Sequence, residues 1–487
     1  MRRLPGLFVL ATVFFCAAQA QNATDVVITQ ALKPSTLPVN LQQLTDEIGG
    51  RVPGTPAMQK AVDWGIAAFK AAGADSVHTE EFSIQASWAE GATHMAVVAP
   101  EQFVVRAVSI AWAPALAAHS HVPVVDVAQG TEEDFARAGD VAGAILLVHS
   151  EEMHTWNDLF AEYLKAPGVI DRAVKAKALA VAFQSTRPHD LLYRHTNAAD
   201  GEIDRLPMIL MAREDAWRVA RLLASGQKLY ADLSIPNTIG GPITAANVVA
   251  ELRGSEKPDE FVILGAHLDS WDLGTGALDN GCNAALVVDA LRAIKAAGVR
   301  PRRSIRFILF SGEEEGMVGS HAYTITHGAE LDKAAGVVVF DSGIGRVTGF
   351  SLGGRRDVVN AASTLVAPLK PLEAATLTTD ADWGTDNFDF LLQGVPTFVA
   401  NQEEGNYLLN YHAMSDTFDK VDLAQLRKHV VEASALTFGI ANAPQPPGQR
   451  LHHAQIEQTM RETHLDEQLK TFGMWGDWES GKRGRKD

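Results

Sequence analysis

Short apolar runs and segments of helical periodicity alternate along the second half of the chain. After residue 244 the apolar runs fall at 261–266, 305–310, 337–340 and 397–400, and a helix is predicted over 283–297. Continuous apolar strands separated by helices are typical of a mostly parallel sheet that is covered on both faces. We therefore predict an α/β fold in which a mixed, mostly parallel sheet is sandwiched by helices.

The N-terminal part of the chain also shows a helical pattern followed by a predicted strand. Val62, Ile66 and Phe69 recur at helical spacing, and Gly73 is placed to end that helix. A strand is predicted over 79–84. This segment is therefore expected to belong to the same α/β domain as the second half of the chain.

The pattern is different between about residues 119 and 238. Short β-branched runs at 122–127, 144–148 and 178–183 alternate there with loops rich in His, Asp and Thr. We interpret 119–238 as a smaller, β-rich domain inserted into the catalytic domain, whose two parts are then 21–118 and 239–447. Residues 448–487 are predicted to be a polar C-terminal tail with a peripheral helix.

Composition and charge narrow the class of protein. The chain has 487 residues, of which 46% are hydrophobic, so it can bury the cores of two domains. Lys and Arg number 42 against 59 for Asp and Glu, which gives a net charge of -17. A nucleic-acid partner would need a basic face, so we expect no such partner.

The first twenty residues have the order of a secretory signal. Two arginines precede an apolar run that ends in Ala-Gln-Ala. No later apolar run reaches the roughly 18 residues of a membrane span, so no membrane anchor is expected. Removal of 1–20 leaves Cys282 as the single cysteine, which excludes an internal disulfide. The protein is predicted to be secreted or periplasmic.

Three predicted strands end at side chains that can bind a metal. His267 follows the run 261–266, Glu313 and Glu314 follow 305–310, and Asp341 follows 337–340. In open α/β sheets, ligands bind outside the carboxyl ends of the strands, so these side chains can converge.

Two further residues complete a set of metal ligands. Asp279 stands twelve residues after His267 and just before a predicted helix, and His412 lies far downstream. Imidazole and carboxylate ligands without thiolates suit Zn²⁺. The predicted ligands of two zinc ions are His267, Asp279, Glu314, Asp341 and His412, with Asp279 as the bridge between the ions.

Two carboxylates are left over from the ligand set and have other predicted roles. Glu313 is predicted to be the general base that takes the proton of the bridging water and passes it to the leaving amine. Asp269, two residues after His267, is predicted to support the ligands from behind.

Several segments resemble a family of zinc-dependent exopeptidases that includes bacterial secreted aminopeptidases, plasma glutamate carboxypeptidase and glutamate carboxypeptidase II. The matching segments are Gly-Gly-Arg-Val-Pro-Gly-Thr at 49–55, Gly-Ala-His-Leu-Asp-Ser-Trp-Asp at 265–272, Gly-Ala-Leu-Asp-Asn-Gly at 276–281, Gly-Glu-Glu-Glu-Gly-Met-Val-Gly-Ser at 312–320, Gly-Thr-Asp at 384–386 and His-Ala-Met-Ser-Asp-Thr at 412–417. The resemblance implies the same five ligands and the same general base that the positions of these residues in the sequence predict. It also implies that the insertion is a protease-associated domain.

The tyrosine before His412 is predicted to be a further catalytic residue. Tyr411 resembles a tyrosine of glutamate carboxypeptidase II that supports the tetrahedral intermediate. Cys282 and Gly312 depart from the residues that are common at their positions in the family, where glycine or serine and alanine are frequent. The geometry near the bridging Asp279 is therefore the part that the resemblance predicts least.

The predicted function is that of an exported di-zinc metallo-exopeptidase that hydrolyses dipeptides or short peptides. Three alternatives stay open: an aminopeptidase acting on longer peptides, an acyltransferase of the glutaminyl cyclase type, and a non-catalytic binding module on the same fold. The expected partner is a peptide substrate, and a homodimer is left open. Which peptide terminus is recognised does not follow from the sequence.

Overall fold

The computed structural model describes residues 23–198 and 201–487. The predicted signal sequence lies outside the described residues. Two eight-stranded sheets organise the chain, and a two-stranded sheet lies where the chain passes between them. Within the described residues, no helix is long and apolar enough to cross a membrane.

The first sheet is mixed, with four parallel strands at its centre. Its strands, in spatial order, are Ser76–Ile84, Ile243–Leu252, Arg303–Phe310, Lys257–His267, Ala334–Val339, Thr397–Gln402, Val347–Ser351 and Thr376–Thr378. The third to sixth strands of this order pair in parallel, whereas the first pairs with the second, the second with the third and the sixth with the seventh in antiparallel fashion. The predicted mixed, mostly parallel α/β sheet is confirmed.

Helices cover both faces of the first sheet. On one face, Pro56–Ala72, Cys282–Ala296 and Leu423–Asn442 enclose the largest hydrophobic cluster. Tyr323, Leu331 and Phe390 belong to the cluster on the opposite face, which includes the helices Val318–Thr326 and Asn387–Leu392. Further α-helices of the catalytic part include Leu37–Gln42, Val359–Leu365 and Tyr407–Asn410.

The second sheet begins earlier in the sequence than predicted. Its strands, in spatial order, are Phe103–Val105, His94–Ala99, Leu229–Ile235, Leu116–Asp126, Ile145–Val148, Ala180–Gln184, Met208–Met211 and Ala107–Ser109. Three of them precede residue 119, the predicted boundary. The sequence pattern missed them because two of the three strands have only three residues each.

The chain enters and leaves the second unit side by side. Trp88–Ala89 pairs antiparallel with Thr238–Ile239. Within the unit, the helices are Glu132–Ala138, Trp156–Lys175 and Arg213–Ala224. A compact unit whose first and last residues lie close together can be inserted into another domain. The structure therefore supports a unit that runs from about residue 90 to 237.

The C-terminal segment also differs from the prediction of a polar tail with one peripheral helix. It forms three short helices, His453–Thr463, Leu465–Thr471 and Trp475–Ser480. Ile456, Met460, Leu469 and Trp478 are buried in one cluster with Phe388 of the catalytic part. Many polar residues separate these apolar positions, so the sequence pattern did not predict a buried face. The segment nevertheless packs against the catalytic part.

Candidate metal centre and active site

The predicted ligands meet at the carboxyl ends of the central strands of the first sheet. His267 is the last residue of its strand, and Glu314 and Asp341 follow the ends of the two strands that flank it. The three strands are parallel, so their carboxyl ends lie side by side. His267, Glu314 and Asp341 are buried or nearly so.

Asp279 stands between two histidines. Nε2 of His267 is 3.1 Å from Oδ1 of Asp279, and Nε2 of His412 is 3.2 Å from Oδ2 of the same carboxylate. Each imidazole also faces a second carboxylate: Nε2 of His267 is 3.0 Å from Oδ1 of Asp341, and Nε2 of His412 is 2.9 Å from Oε2 of Glu314. The arrangement therefore consists of two histidine–carboxylate pairs that share Asp279.

The donor atoms fit divalent zinc. Zinc bonds of about 2.0–2.2 Å in a tetrahedral site hold neighbouring ligand atoms roughly 3.3 Å apart, close to the distances found here. Two overlapping groups have ligand atoms that all lie within 4.8 Å of one another, namely His267, Glu313 and Asp341, and His267, Asp279 and Glu314. Imidazole nitrogen and carboxylate oxygen are donors that suit zinc.

The protonation pattern favours Nε2 of His267 as the free nitrogen. Nδ1 of His267 lies 3.0 Å from the carbonyl oxygen of Asp269, to which an N–H at that position donates. The lone pair is then left on Nε2, which faces the carboxylates. Burial acts to raise the pKa of Asp279, but its contacts with His267 and His412 outweigh this effect and lower the pKa, so that carboxylate is held in its charged form.

Glu313 lies beside the ligand set and lines the main cavity. Its Oε2 atom is 4.0 Å from Nε2 of His267, farther than any of the four short contacts described above. Burial raises the pKa of Glu313 well above its ordinary value, and the opposing charge of His267 does not cancel this effect. A raised pKa and a place beside the ligands are the properties of a group that takes and returns a proton.

Asp269 and Asp416 act behind the ligands. Asp269 is fully buried, does not line the main cavity, and accepts the backbone N–H of Glu314 at 3.1 Å. Asp416 accepts the N–H groups of residues 277, 278 and 279 at 3.1, 2.6 and 3.1 Å. The carboxylate of Asp279 is thereby left to face the two histidines.

Arg51 ties the N-terminal turn to the two loops that carry ligands. Its guanidinium donates to the carbonyl oxygens of Leu268 at 2.6 Å, Gly276 at 2.8 Å and Thr275 at 2.8 Å. The turn can approach because residue 50 is glycine: a Cβ there would lie 2.5 Å from the Cα of Asp272. The sequence showed the Gly-Gly-Arg segment but gave no role to the arginine.

Tyr411 lines the cavity next to His412, on which its ring stacks at 3.6 Å between centroids. Its hydroxyl is 3.0 Å from the hydroxyl of Tyr163, which comes from the inserted unit. Tyr407, from a neighbouring helix, donates to Oδ2 of Asp279 at 2.9 Å. Neither Tyr163 nor Tyr407 was predicted, because contacts across 248 and 128 residues have no local sequence signal.

A cavity of about 890 Å³ adjoins the site. The inserted unit supplies Trp156, Tyr163 and His195 to its lining, and the catalytic part supplies the ligands. His195 of the inserted unit lines the cavity, and burial lowers its pKa to about 4. The inserted unit therefore walls the cavity.

Comparisons with known proteins agree with this site. Residues 247–437 match the sequence profile of Peptidase family M28. Carboxypeptidase Q of Rattus norvegicus is 27% identical over 406 residues, which cover 82% of this chain and 84% of that protein. The crystal structure of a Peptidase M28 precursor from Shewanella amazonensis SB2B superposes with a TM-score of 0.79 at 26% identity, covering 89% of this chain and 99% of that one.

A zinc aminopeptidase from Bacillus subtilis has the same fold at 19% identity, with a TM-score of 0.64 and coverage of 82% of this chain and 93% of that one. The fold, the site and these relatives define a zinc metallopeptidase. The residues that match Peptidase family M28, 247–437, include all five predicted ligands and Glu313. The resemblance inferred from the motifs is thereby confirmed.

Proposed function

We propose that this chain is an exported exopeptidase that hydrolyses dipeptides or short peptides with two zinc ions. His267 and Asp341 would bind one ion, and His412 and Glu314 the other. Asp279 would bind both. The observation that carries the proposal is the position of Asp279, which turns one carboxylate oxygen to each histidine. Residues 1–20 would direct export.

Zinc ions bound there would polarise the scissile carbonyl and lower the pKa of the attacking water. Glu313 then takes the proton of that water and gives it to the leaving amine. Its position supports both transfers, because it lies beside the ligands and opens onto the cavity. Asp269 holds the backbone of Glu314 and so keeps the acidic turn in register.

Tyr411 would stabilise the charge that develops on the carbonyl oxygen. Its ring is fixed against His412, and its hydroxyl already has a hydrogen-bonding neighbour, Tyr163, at 3.0 Å. A hydroxyl that is oriented in advance loses little entropy when it donates to the substrate. The walls supplied by the inserted unit support a preference for short peptides over folded proteins.

We expect the purified protein to bind two zinc ions per chain. Removing metal with a chelator and titrating zinc back, with elemental analysis of the saturated protein, measures the stoichiometry. Asp279→Asn is expected to weaken the binding of both ions, because one carboxylate serves both. Asp259→Asn, an exposed aspartate on the same strand as His267, is the matched control. A single ion at saturating zinc would contradict the shared-carboxylate arrangement.

A panel of peptides tests the reaction and the terminus that is recognised. Free dipeptides, N-blocked dipeptides and C-amidated peptides are offered with zinc present, and a peptide with N-terminal glutamine is added to detect ring closure. Cleavage of dipeptides that is lost on blocking one terminus identifies an exopeptidase and its terminus. Ring closure without hydrolysis would favour the acyltransferase instead. Binding without turnover would favour the binding module.

A further inference from the structure

The C-terminal segment, residues 453–487, reaches the rim of the main cavity. Phe472 and Met474 of this segment are among the residues that line the cavity. Phe472 is half-buried, whereas Thr471 and Gly473 on either side of it line the same cavity and are exposed. At this place the segment separates the cavity from solvent.

The segment is fixed to the loop that precedes the helix Asn387–Leu392. Gln468 accepts the backbone N–H of Trp383 at 3.0 Å, and its amide donates to Oδ1 of Asp382 at 3.2 Å. Two hydrogen bonds from one side chain to neighbouring residues hold the loop and the segment in one orientation.

A second attachment connects the segment to the turn that carries Glu313. The guanidinium of Arg483 is buried, forms an ion pair with Asp389 at 2.7 Å, and donates to the carbonyl oxygen of Gly316 at 3.2 Å. Gly316 lies three residues after Glu313. A buried, charge-assisted contact of this kind is well ordered, so the segment is a rigid wall and not a loose cover.

A row of aromatic side chains leads from Tyr411 to this wall. The hydroxyls of Tyr411 and Tyr163 are 3.0 Å apart, the ring centroids of Tyr163 and Trp383 are 6.3 Å apart, and Trp383 stacks on Phe472 at 4.4 Å. Along these two ring-to-ring steps the row from Tyr163 to Phe472 extends over at most about three residues of extended peptide. Half-buried aromatic rings in a cavity are surfaces on which substrate side chains pack.

We propose that Phe472 closes the cavity at the far end of this row and limits the length of the peptides that the site accepts. The inference rests on the proposed function, which it makes specific. A peptide that extends along the row from the metal centre meets the stacked pair of Trp383 and Phe472. Short peptides end before this pair, whereas longer ones must displace the ring.

Phe472→Ala tests this limit through the ratio of kcat/KM for a tetrapeptide to kcat/KM for the dipeptide that shares its cleaved bond. We expect the ratio to rise about tenfold, the scale on which an apolar pocket discriminates by size. Phe472→Leu keeps part of the wall and should raise the ratio less. Trp475→Ala is the control, because Trp475 is a half-buried aromatic of the same segment that packs on Arg461 and Lys470 and does not line the cavity.

The affinity of the same two peptides for Glu313→Gln, with and without Phe472→Ala, gives a second measure that does not depend on turnover. Tighter tetrapeptide binding after removal of the ring supports the limit. An unchanged ratio and unchanged affinities, or equal losses for both peptides, overturn it. If the unaltered protein cleaves neither peptide, the proposed function itself fails, and the affinities alone then decide whether Phe472 limits length.

Discussion

Replacing Glu313 with glutamine is expected to lower kcat by roughly 10²- to 10⁴-fold while the protein keeps its zinc. The amide is nearly the same size as the carboxylate and can still form a hydrogen bond to the attacking water, but it cannot take the proton. Glu313 lies beside the ligand atoms, with Oε2 4.0 Å from Nε2 of His267, and outside the four short contacts of the shared-carboxylate arrangement. Steady-state kinetics and elemental analysis on the same preparation measure the two effects.

The adjacent Glu314→Gln is the matched control for this change. Oε2 of Glu314 is 2.9 Å from Nε2 of His412, so the same isosteric substitution is expected to weaken zinc binding. The two neighbours should therefore separate by phenotype, one losing turnover and the other losing metal. Loss of zinc from Glu313→Gln with retention in Glu314→Gln would falsify the assignment of roles within the acidic turn.

Arg51→Met is expected to destabilise the protein by roughly 3 to 5 kcal/mol and to weaken zinc binding as well. The guanidinium is fully buried and donates to four backbone carbonyls, those of Gly49, Leu268, Thr275 and Gly276. Methionine fills a similar space but leaves these oxygens without donors. Burial lowers the pKa of Arg51 to about 10, which still leaves the side chain charged at neutral pH.

Denaturant unfolding and zinc titration measure the two consequences of Arg51→Met. Arg303→Met is the control, because Arg303 is equally buried but is the first residue of its strand, at the end of the sheet away from the predicted ligands. It forms an ion pair there with Glu260 at 2.7 Å. This variant should destabilise the fold and leave the zinc affinity of the folded protein unchanged. Equal zinc affinities in the two folded variants would show that Arg51 supports the fold alone.

The sequence determined the α/β class and the set of residues brought together at the sheet edge. The apolar runs predicted the four parallel central strands within a few residues, because buried parallel strands are apolar on both faces. The proximity of His267, Glu314 and Asp341 followed from the same pattern, since side chains at the carboxyl ends of adjacent parallel strands must lie close together. Both inferences depend on local pattern and on one topological rule.

The partners of Asp279 lay beyond that rule. The backbone N–H groups of residues 277–279, in the turn before the helix, donate to Asp416 and not to the carboxylate of Asp279. Tyr407 and the two histidines contact the carboxylate instead. The sequence contained every one of these residues, and only the folded chain determined which of them meet.

The extent of the inserted unit and the role of the C-terminal segment were also decided by tertiary structure. The strands at 94–99 and 107–109 join the second sheet by pairing with residues a hundred or more positions away, and the strand at 103–105 joins it through 95–97. The apolar residues of the last helices are spaced among charged ones, and their burial depends on the surface that Phe388 and Met317 offer. Pairing and packing across such separations leave no local periodicity. The walls of the cavity therefore appear only when the chain is folded, whereas the side chains proposed as ligands at its base can be predicted from the strand ends.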